Sequence, residues 1–289
     1  MLYDMPLYRP PSEANSLIIQ ATLGCSHNNC SFCSMYKDKK FTIKSLNQIK
    51  KEILEFSQSA PYATRIFIAD GDALIIPMKD LKEILTLINK SFKNIERITM
   101  YASPKSIQLK TLEELKELHS LGLKMVYMGI ESGSDKVLLD IHKGATRQEL
   151  IHAALKIKES NIKLSATVIA GISGLNYSRE HAIETGSLIS IIKPDFLGVL
   201  SLMVERNTEI YNKVKEGTFK TLSNIEILNE IKLLLQTIDT DKSIVFRSNH
   251  ASNYVSLKGT LPLEKSRLIE DIDWCLNNNY LKNETSRRL

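Results

Sequence analysis

Six times along the chain, a short apolar run gives way to apolar positions at helical spacing. Ser16 to Leu23, SLIIQATL, is apolar and partly β-branched and predicts a strand. SLNQIKKEILEFSQ follows, with Ile49, Ile53, Leu54 and Phe56 near helical spacing and Ser45 as N-cap. RIFIAD predicts a strand and MKDLKEILTLINKSF a helix. RITMYASP precedes TLEELKELHSLG, a helix that Gly122 closes. KMVYMGIES precedes TRQELIHAALKIKESN, capped by Thr146. KLSATVIAGI precedes SREHAIETGSLISIIK, which ends before Pro194. FLGVLSLMV is the sixth strand, and SNIEILNEIKLLLQTI is its helix.

Repeated strand–helix alternation predicts a parallel sheet with helices outside, an α/β fold. Six units fall short of the eight that close a barrel, so the expected form is an open, partial (βα)6 barrel. After Ile238 the alternation stops. KSIVFRSNHASNYVSLKGTLP is mixed, and an amphipathic helix from Leu263 to about Asn277 follows, with Cys275 as an apolar filler. The expected organisation is an N-terminal segment over 1–15, a barrel over 16–240, and a helical and irregular extension over 241–289 covering the barrel mouth. In such folds ligands gather at the carboxyl ends of the strands.

Charge and composition narrow the function classes. No run of eighteen apolar residues exists, which argues against a membrane span. The N-terminus lacks the apolar core of a signal peptide, so the expected compartment is the reducing cytoplasm. There, clustered cysteines point to metal or redox chemistry rather than disulfides. A net charge of +5 is mild and by itself only weak evidence for a nucleic-acid partner, which is not expected to be the main one. One local excess remains. From Lys37 to Lys51 there are six lysines and one acid, Asp38, which reads either as a solvated face or as a docking patch for an acidic protein.

Three of the four cysteines, Cys25, Cys30 and Cys33, stand as C-x4-C-x2-C just past the first strand. A structural zinc site takes four ligands, and His27 would have to join the three thiols in a zinc-stabilised binding module. Three thiolates on a four-iron cluster instead leave one iron open to chemistry, unlike a ferredoxin, whose four cysteines close it. The residue before the last cysteine is aromatic, Phe32. This loop resembles that of the radical S-adenosylmethionine (radical SAM) superfamily, whose usual motif is C-x3-C-x2-C with an aromatic before the third cysteine. Here the first gap has one extra residue. The resemblance covers about residues 10–205 and is nearest to the branch holding oxygen-independent coproporphyrinogen oxidases and methylthiotransferases.

It implies a set of roles, residue by residue. Cys25, Cys30 and Cys33 hold a [4Fe–4S] cluster. DGDA (Asp70, Gly71, Asp72, Ala73) resembles the turn whose backbone holds the methionyl amine of S-adenosylmethionine. YASP places Tyr101, or Ser103 in its stead, at a ribose contact. GIESGSDKVLLDIHKGAT carries Glu131 and Ser132, then Lys143 twelve positions after Glu131. Glu131 would bind the ribose hydroxyls and Lys143 the methionyl carboxylate, where many relatives use Arg. TVIAGISG puts Thr167 near the ribose and Ile172 over the base, with Leu202, and by the same logic Met203, lining the pocket beside Phe32.

The implied reaction is reductive cleavage of S-adenosylmethionine to methionine and a 5′-deoxyadenosyl radical, which takes hydrogen from an unreactive C–H bond of a small-molecule substrate. A flavodoxin- or ferredoxin-like protein would donate the electron. FRSNHASN, dense in polar groups, offers Arg247 to bind an anion and His250 to move a proton, with Glu205 and Arg206 as second candidates. An RNA-modifying enzyme of the same superfamily is the alternative. Methylthiotransfer as usually built needs more cysteines than this chain has.

Overall fold

The computed structural model describes residues 3–288; Met1 and Leu2 of the expected N-terminal segment and Leu289 of the extension lie outside them. Eight strands and the surrounding helices make a mostly parallel α/β fold. The chain divides into two units, residues 3–28, 35–128 and 152–164 in one, and 29–34, 129–151 and 165–288 in the other.

In the first unit, β1 (Leu17–Gln20) is followed by the short pair β2 (Thr22–Leu23) and β3 (Thr42–Ile43), which are antiparallel. Then come α1 (Leu46–Ser59), β4 (Arg65–Ala69), α2 (Met78–Ser91), β5 (Arg97–Tyr101), α3 (Pro104–Gln108) and α4 (Leu112–Ser120). β6 (Leu123–Glu131) begins here and crosses into the second unit at Gly129. β1 pairs with β4, β4 with β5, and β5 with β6, all parallel. β4 is buried from Ile66 to Ala69, the continuous apolar run of a strand covered on both faces. The helix starts behave as their sequence says. Ser45 Oγ accepts from Gln48 N at 3.3 Å, and Thr111 forms a capping box with Glu114. Gly122, at φ +99°, turns the chain from α4 into β6, a conformation that glycine adopts without a Cβ penalty.

The second unit holds α5 (Asp135–Asp140), the start of α6 (Arg147–Glu159), most of β7 (Lys163–Ala170), α7 (Ser178–Ile192) and β8 (Phe196–Ser201). It continues with α8 (Glu209–Lys215), α9 (Asn224–Thr237), β9 (Ile244–Ser248), β10 (Leu257–Leu261) and α10 (Lys265–Asn277). β7, β8 and β9 are parallel, and β10 returns antiparallel on β9. The stretch after Ile238 therefore carries two sheet strands as well as the expected helix. Cys275 is buried on α10, as a filler should be. Among the described residues no helix is long and apolar enough to cross a membrane.

Candidate functional site

The cysteine loop is tied down within each unit. In the first, Gly24 turns the chain at φ +74°, and Asn28 Nδ2 donates to the carbonyls of Tyr36 (2.8 Å) and Lys39 (3.4 Å). In the second, Ser31 N donates to Ile141 O at 2.9 Å, and Ser31 O accepts from Ile210 N at 3.0 Å. Cys33 N donates to Cys30 O at 3.4 Å. All of Cys25, Cys30 and Cys33 are partly exposed thiols. Among the described residues, no three His, Cys, Asp or Glu side chains gather as ligands of a single ion would. A four-iron cluster makes a different demand, since each thiolate sits on its own iron and only soft sulfur donors are wanted. The donor set fits that group.

The turn after β4 meets the loop in the first unit. A Cβ on Gly71 would lie 2.9 Å from Tyr36 Cε2 and 3.1 and 3.3 Å from Cys25 Cβ and Cα, so only glycine allows this approach. Gly71 N donates to Gly24 O at 3.1 Å. Asp70 is fully buried, accepting from Gln20 Nε2 at 3.0 Å and Gly24 N at 3.2 Å, with Lys39 Nζ 3.4 Å away. Burial raises its pKa against the pull of those partners. Asp72 is also fully buried. It accepts from Ser26 Oγ, beside Cys25, and from Ser103 N (3.0 Å) and Ser103 Oγ (2.7 Å) after β5. Ala73, fully buried, opens the short turn that follows. One carboxylate thus fixes the cysteine loop, the β4 turn and the β5 end together. Ser26, Tyr36 and this hub were not read from the sequence. Tyr101 is placed otherwise than expected. Its ring stands edge-on to Phe67 (5.2 Å) and Tyr127 (6.0 Å), and burial holds its hydroxyl well above the usual phenol range.

In the second unit, the end of β6 carries the clearest geometry. Glu131 sits at φ +63°, a left-handed conformation that costs a non-glycine residue of order 1 kcal/mol. Its Oε1 accepts from Lys143 Nζ at 3.0 Å, with both side chains about nine-tenths buried. A Cβ on Gly129 would fall 2.0 Å from Glu131 Oε1 and 3.0 Å from Lys143 Nζ. Gly129 is a cradle shaped for this pair. Ser132 departs from its expected role. It is fully buried, its hydroxyl 2.8 Å from His181 Nδ1 and accepting from Ser134 N at 3.1 Å, so it is turned into the protein. Ile172 and Leu202 belong to one apolar cluster with Val137, Ile141 and Ile210, and Phe32 packs against it. Beside Ile172 opens a cleft of about 240 Å³, lined also by Ser31, Val137, Gly174, Phe219 and Lys213. Thr167 is half-buried on β7, and Gly198 on β8 leaves space before its hydroxyl.

The C-terminal candidates take local partners. Arg247 lies in β9, not in a loop, and its Nη1 donates to the carbonyls of Phe246 (2.7 Å) and Gly259 (3.3 Å). His250 Nδ1 stands 2.9 Å from Ser252 Oγ and accepts from Ser252 N at 3.2 Å, and burial lowers its pKa. The lysine run is largely neutralised inside the first unit. Lys39 pairs with Asp4 and Asp70, Lys44 with Glu52, Lys50 with Glu83 and Lys51 with Glu55, while Lys37 holds Asn28 O.

A sequence model described as the radical SAM superfamily matches residues 19–186. The chain is 23% identical over 283 residues to an uncharacterized protein of Methanocaldococcus jannaschii, covering 92% of this chain and 81% of that one. It is 22% identical over 199 residues to the heme chaperone HemW of Bacillus subtilis, covering 67% of this chain and 52% of HemW. Its fold is similar to that of methylornithine synthase, with a TM-score of 0.53 and 14% identity over 78% of this chain and 64% of that one.

Proposed function

The chain belongs to the radical SAM superfamily, and from that premise we propose that it cleaves S-adenosylmethionine reductively and directs the product radical at a C–H bond of a small-molecule substrate. It is an enzyme, and the cofactors of its family are a [4Fe–4S] cluster and S-adenosylmethionine. When bound, the cluster supplies the electron that opens the sulfonium.

This chain's residues do the holding. Cys25, Cys30 and Cys33 would bind the cluster as thiolates, leaving one iron for the cofactor's amine and carboxylate. The Asp72 contacts to Ser26 and Ser103 keep that loop and the β5 end in register. Glu131 would accept the ribose hydroxyls, since a carboxylate takes two such protons, and Lys143 would neutralise the methionyl carboxylate. Ile172, with Phe32 and Leu202 behind it, offers an apolar face to the base beside the 240 Å³ cleft. The electron has to come from outside, from a flavodoxin- or ferredoxin-like donor. The internally paired lysines speak against Lys37 to Lys51 as its docking surface.

The observation that carries the reading is the buried Glu131–Lys143 pair seated on Gly129. Equilibrium dialysis of S-adenosylmethionine against anaerobically reconstituted Glu131→Ala and Lys143→Ala tests it. Each should bind at least about tenfold more weakly, the loss of one hydrogen bond to a charged group. Wild-type affinity in both would remove the assignment.

A further inference from the structure

Two buried titratable side chains lie beneath the site and take no part in the chemistry above. His181 of α7 and Glu230 of α9 are both nearly inaccessible, and a cavity of about 10 Å³ lies against them. Each reaches a different strand end. His181 Nδ1 is 2.8 Å from Ser132 Oγ, and the ring donates to the carbonyl of Ile169 in β7. Glu230 Oε1 accepts from Gly171 N at 2.6 Å, and its Oε2 accepts from Ser178 Oγ at the start of α7. His181 Nε2 and Glu230 Oε1 are 3.7 Å apart.

The turns they hold are those flanking the nucleoside site. Ser132 follows Glu131 directly, and Gly171 precedes Ile172. Both turns are also pressed onto the helices. A Cβ on Gly133 would lie 2.3 Å from Glu184 O, and one on Gly171 would lie 2.6 Å from Ile227 Cδ1. Gly133 N donates to Thr185 Oγ1 at 2.8 Å.

We propose that His181 and Glu230 are positioning residues for the cofactor: reaching inward from α7 and α9, they fix the backbone at Ser132 and Gly171 and so set Glu131 and Ile172 against the nucleoside. The idea rests on the assignment of Glu131 to the cofactor. The strained φ of Glu131 needs such support, because a left-handed carboxylate residue persists only where its surroundings hold it. The hydrogen-bond order is consistent from end to end. With the neutral ring unprotonated at Nδ1, Ser134 N–H donates to Ser132 Oγ, the Ser132 proton goes to His181 Nδ1, and the ring keeps one N–H for the Ile169 carbonyl. Burial supports the neutral ring, pushing the His181 pKa down to about 4 and that of Glu230 up to about 7.

The test measures S-adenosylmethionine affinity by equilibrium dialysis, KM and kcat for its cleavage, and thermal midpoint, on the anaerobically reconstituted full chain. Ser132→Ala and Glu230→Ala should raise Kd and KM about tenfold with kcat little changed, as loss of an outer hydrogen-bond partner does. Glu230→Gln keeps a carbonyl oxygen for Gly171 N and should restore near-normal affinity. A lowered midpoint with unchanged Kd, or Glu230→Gln as poor as Glu230→Ala, would overturn the proposal. If Glu230→Ala does not fold, His181→Ala, which keeps the Ser134 N–H bond to Ser132 Oγ, takes its place with the same expected rise in Kd, and wild-type Kd there overturns the proposal. Glu131→Ala separates the two levels. If it alone weakens binding, the positioning role fails; if it too binds normally, the assignment of Glu131 itself falls.

Discussion

Replacing Gly129 by Ala separates site geometry from stability. The new Cβ would stand 2.0 Å from Glu131 Oε1, 3.1 Å from Glu131 Cδ and 3.0 Å from Lys143 Nζ. All three atoms lie toward the far ends of flexible side chains, so the clash is relieved by swinging Glu131 and Lys143 away, not by moving β6. The backbone contribution has the opposite sign, because Ala in a strand interior is favoured over Gly by about 0.5–1 kcal/mol. The fold should therefore keep its midpoint or gain slightly. Binding should suffer. A misplaced carboxylate forfeits a hydrogen bond to a charged group, about 1.5–3 kcal/mol. That corresponds to roughly one to two orders of magnitude in Kd. Thermal unfolding followed by circular dichroism and dialysis of S-adenosylmethionine on the same anaerobic sample read both sides. A variant of wild-type stability that binds with wild-type affinity would refute the reasoning, since Glu131 and Lys143 would then be dispensable where they stand.

Three further outcomes follow from the same contacts. Gly71→Ala puts a methyl 3.1 Å from Cys25 Cβ and 3.3 Å from its Cα, backbone that does not yield cheaply, so iron and sulfide per chain after reconstitution should fall; full loading would clear Gly71 of that role. Asp72→Ala takes the acceptor from Ser26 Oγ and leaves Ser103 N and Oγ only Ser106 Oγ to donate to, so it should cost about 1–3 kcal/mol in urea unfolding, where an unchanged midpoint would show that water serves as well. Glu230→Gln tests a pH effect. Burial raises the folded pKa of Glu230 from 4.5 to about 7, so its protonated form favours folding below pH 4.5 and that contribution fades as pH rises through 7. The Gln variant should thus gain on wild type between these pH values, by up to about 3 kcal/mol, and hold its advantage above them. Parallel denaturation curves at every pH would contradict this.

Much of the frame was legible because it is written locally. Ser45 and Thr146 cap their helices through residues three positions on, and β4 announces itself as one buried apolar run. Glu131 and Lys143 were reached only through the family resemblance, and the twelve positions between them are spanned by the short helix α5. β9 was not. Ile244, Phe246 and Ser248 share its buried face, and the polar Ser248 in a polar stretch masked the period of two. Arg247 looked like a loop anion binder for the same reason. His181 and Glu230 escaped because their partners lie 49 and 59 positions away, which no local spacing encodes. The lysine run misled in the same manner, since Lys39 and Lys50 meet Asp70 and Glu83 only after folding.

Anaerobic protein given a strong reductant and S-adenosylmethionine, with 5′-deoxyadenosine and methionine quantified by mass spectrometry, confronts the central claim most directly. Wild type and Cys275→Ser should form both products, and Cys25→Ser, Cys30→Ser and Cys33→Ser should form neither while losing the brown colour of the iron–sulfur protein. Equal product from any of those three variants, or none from a wild-type protein carrying its full iron, would contradict the account.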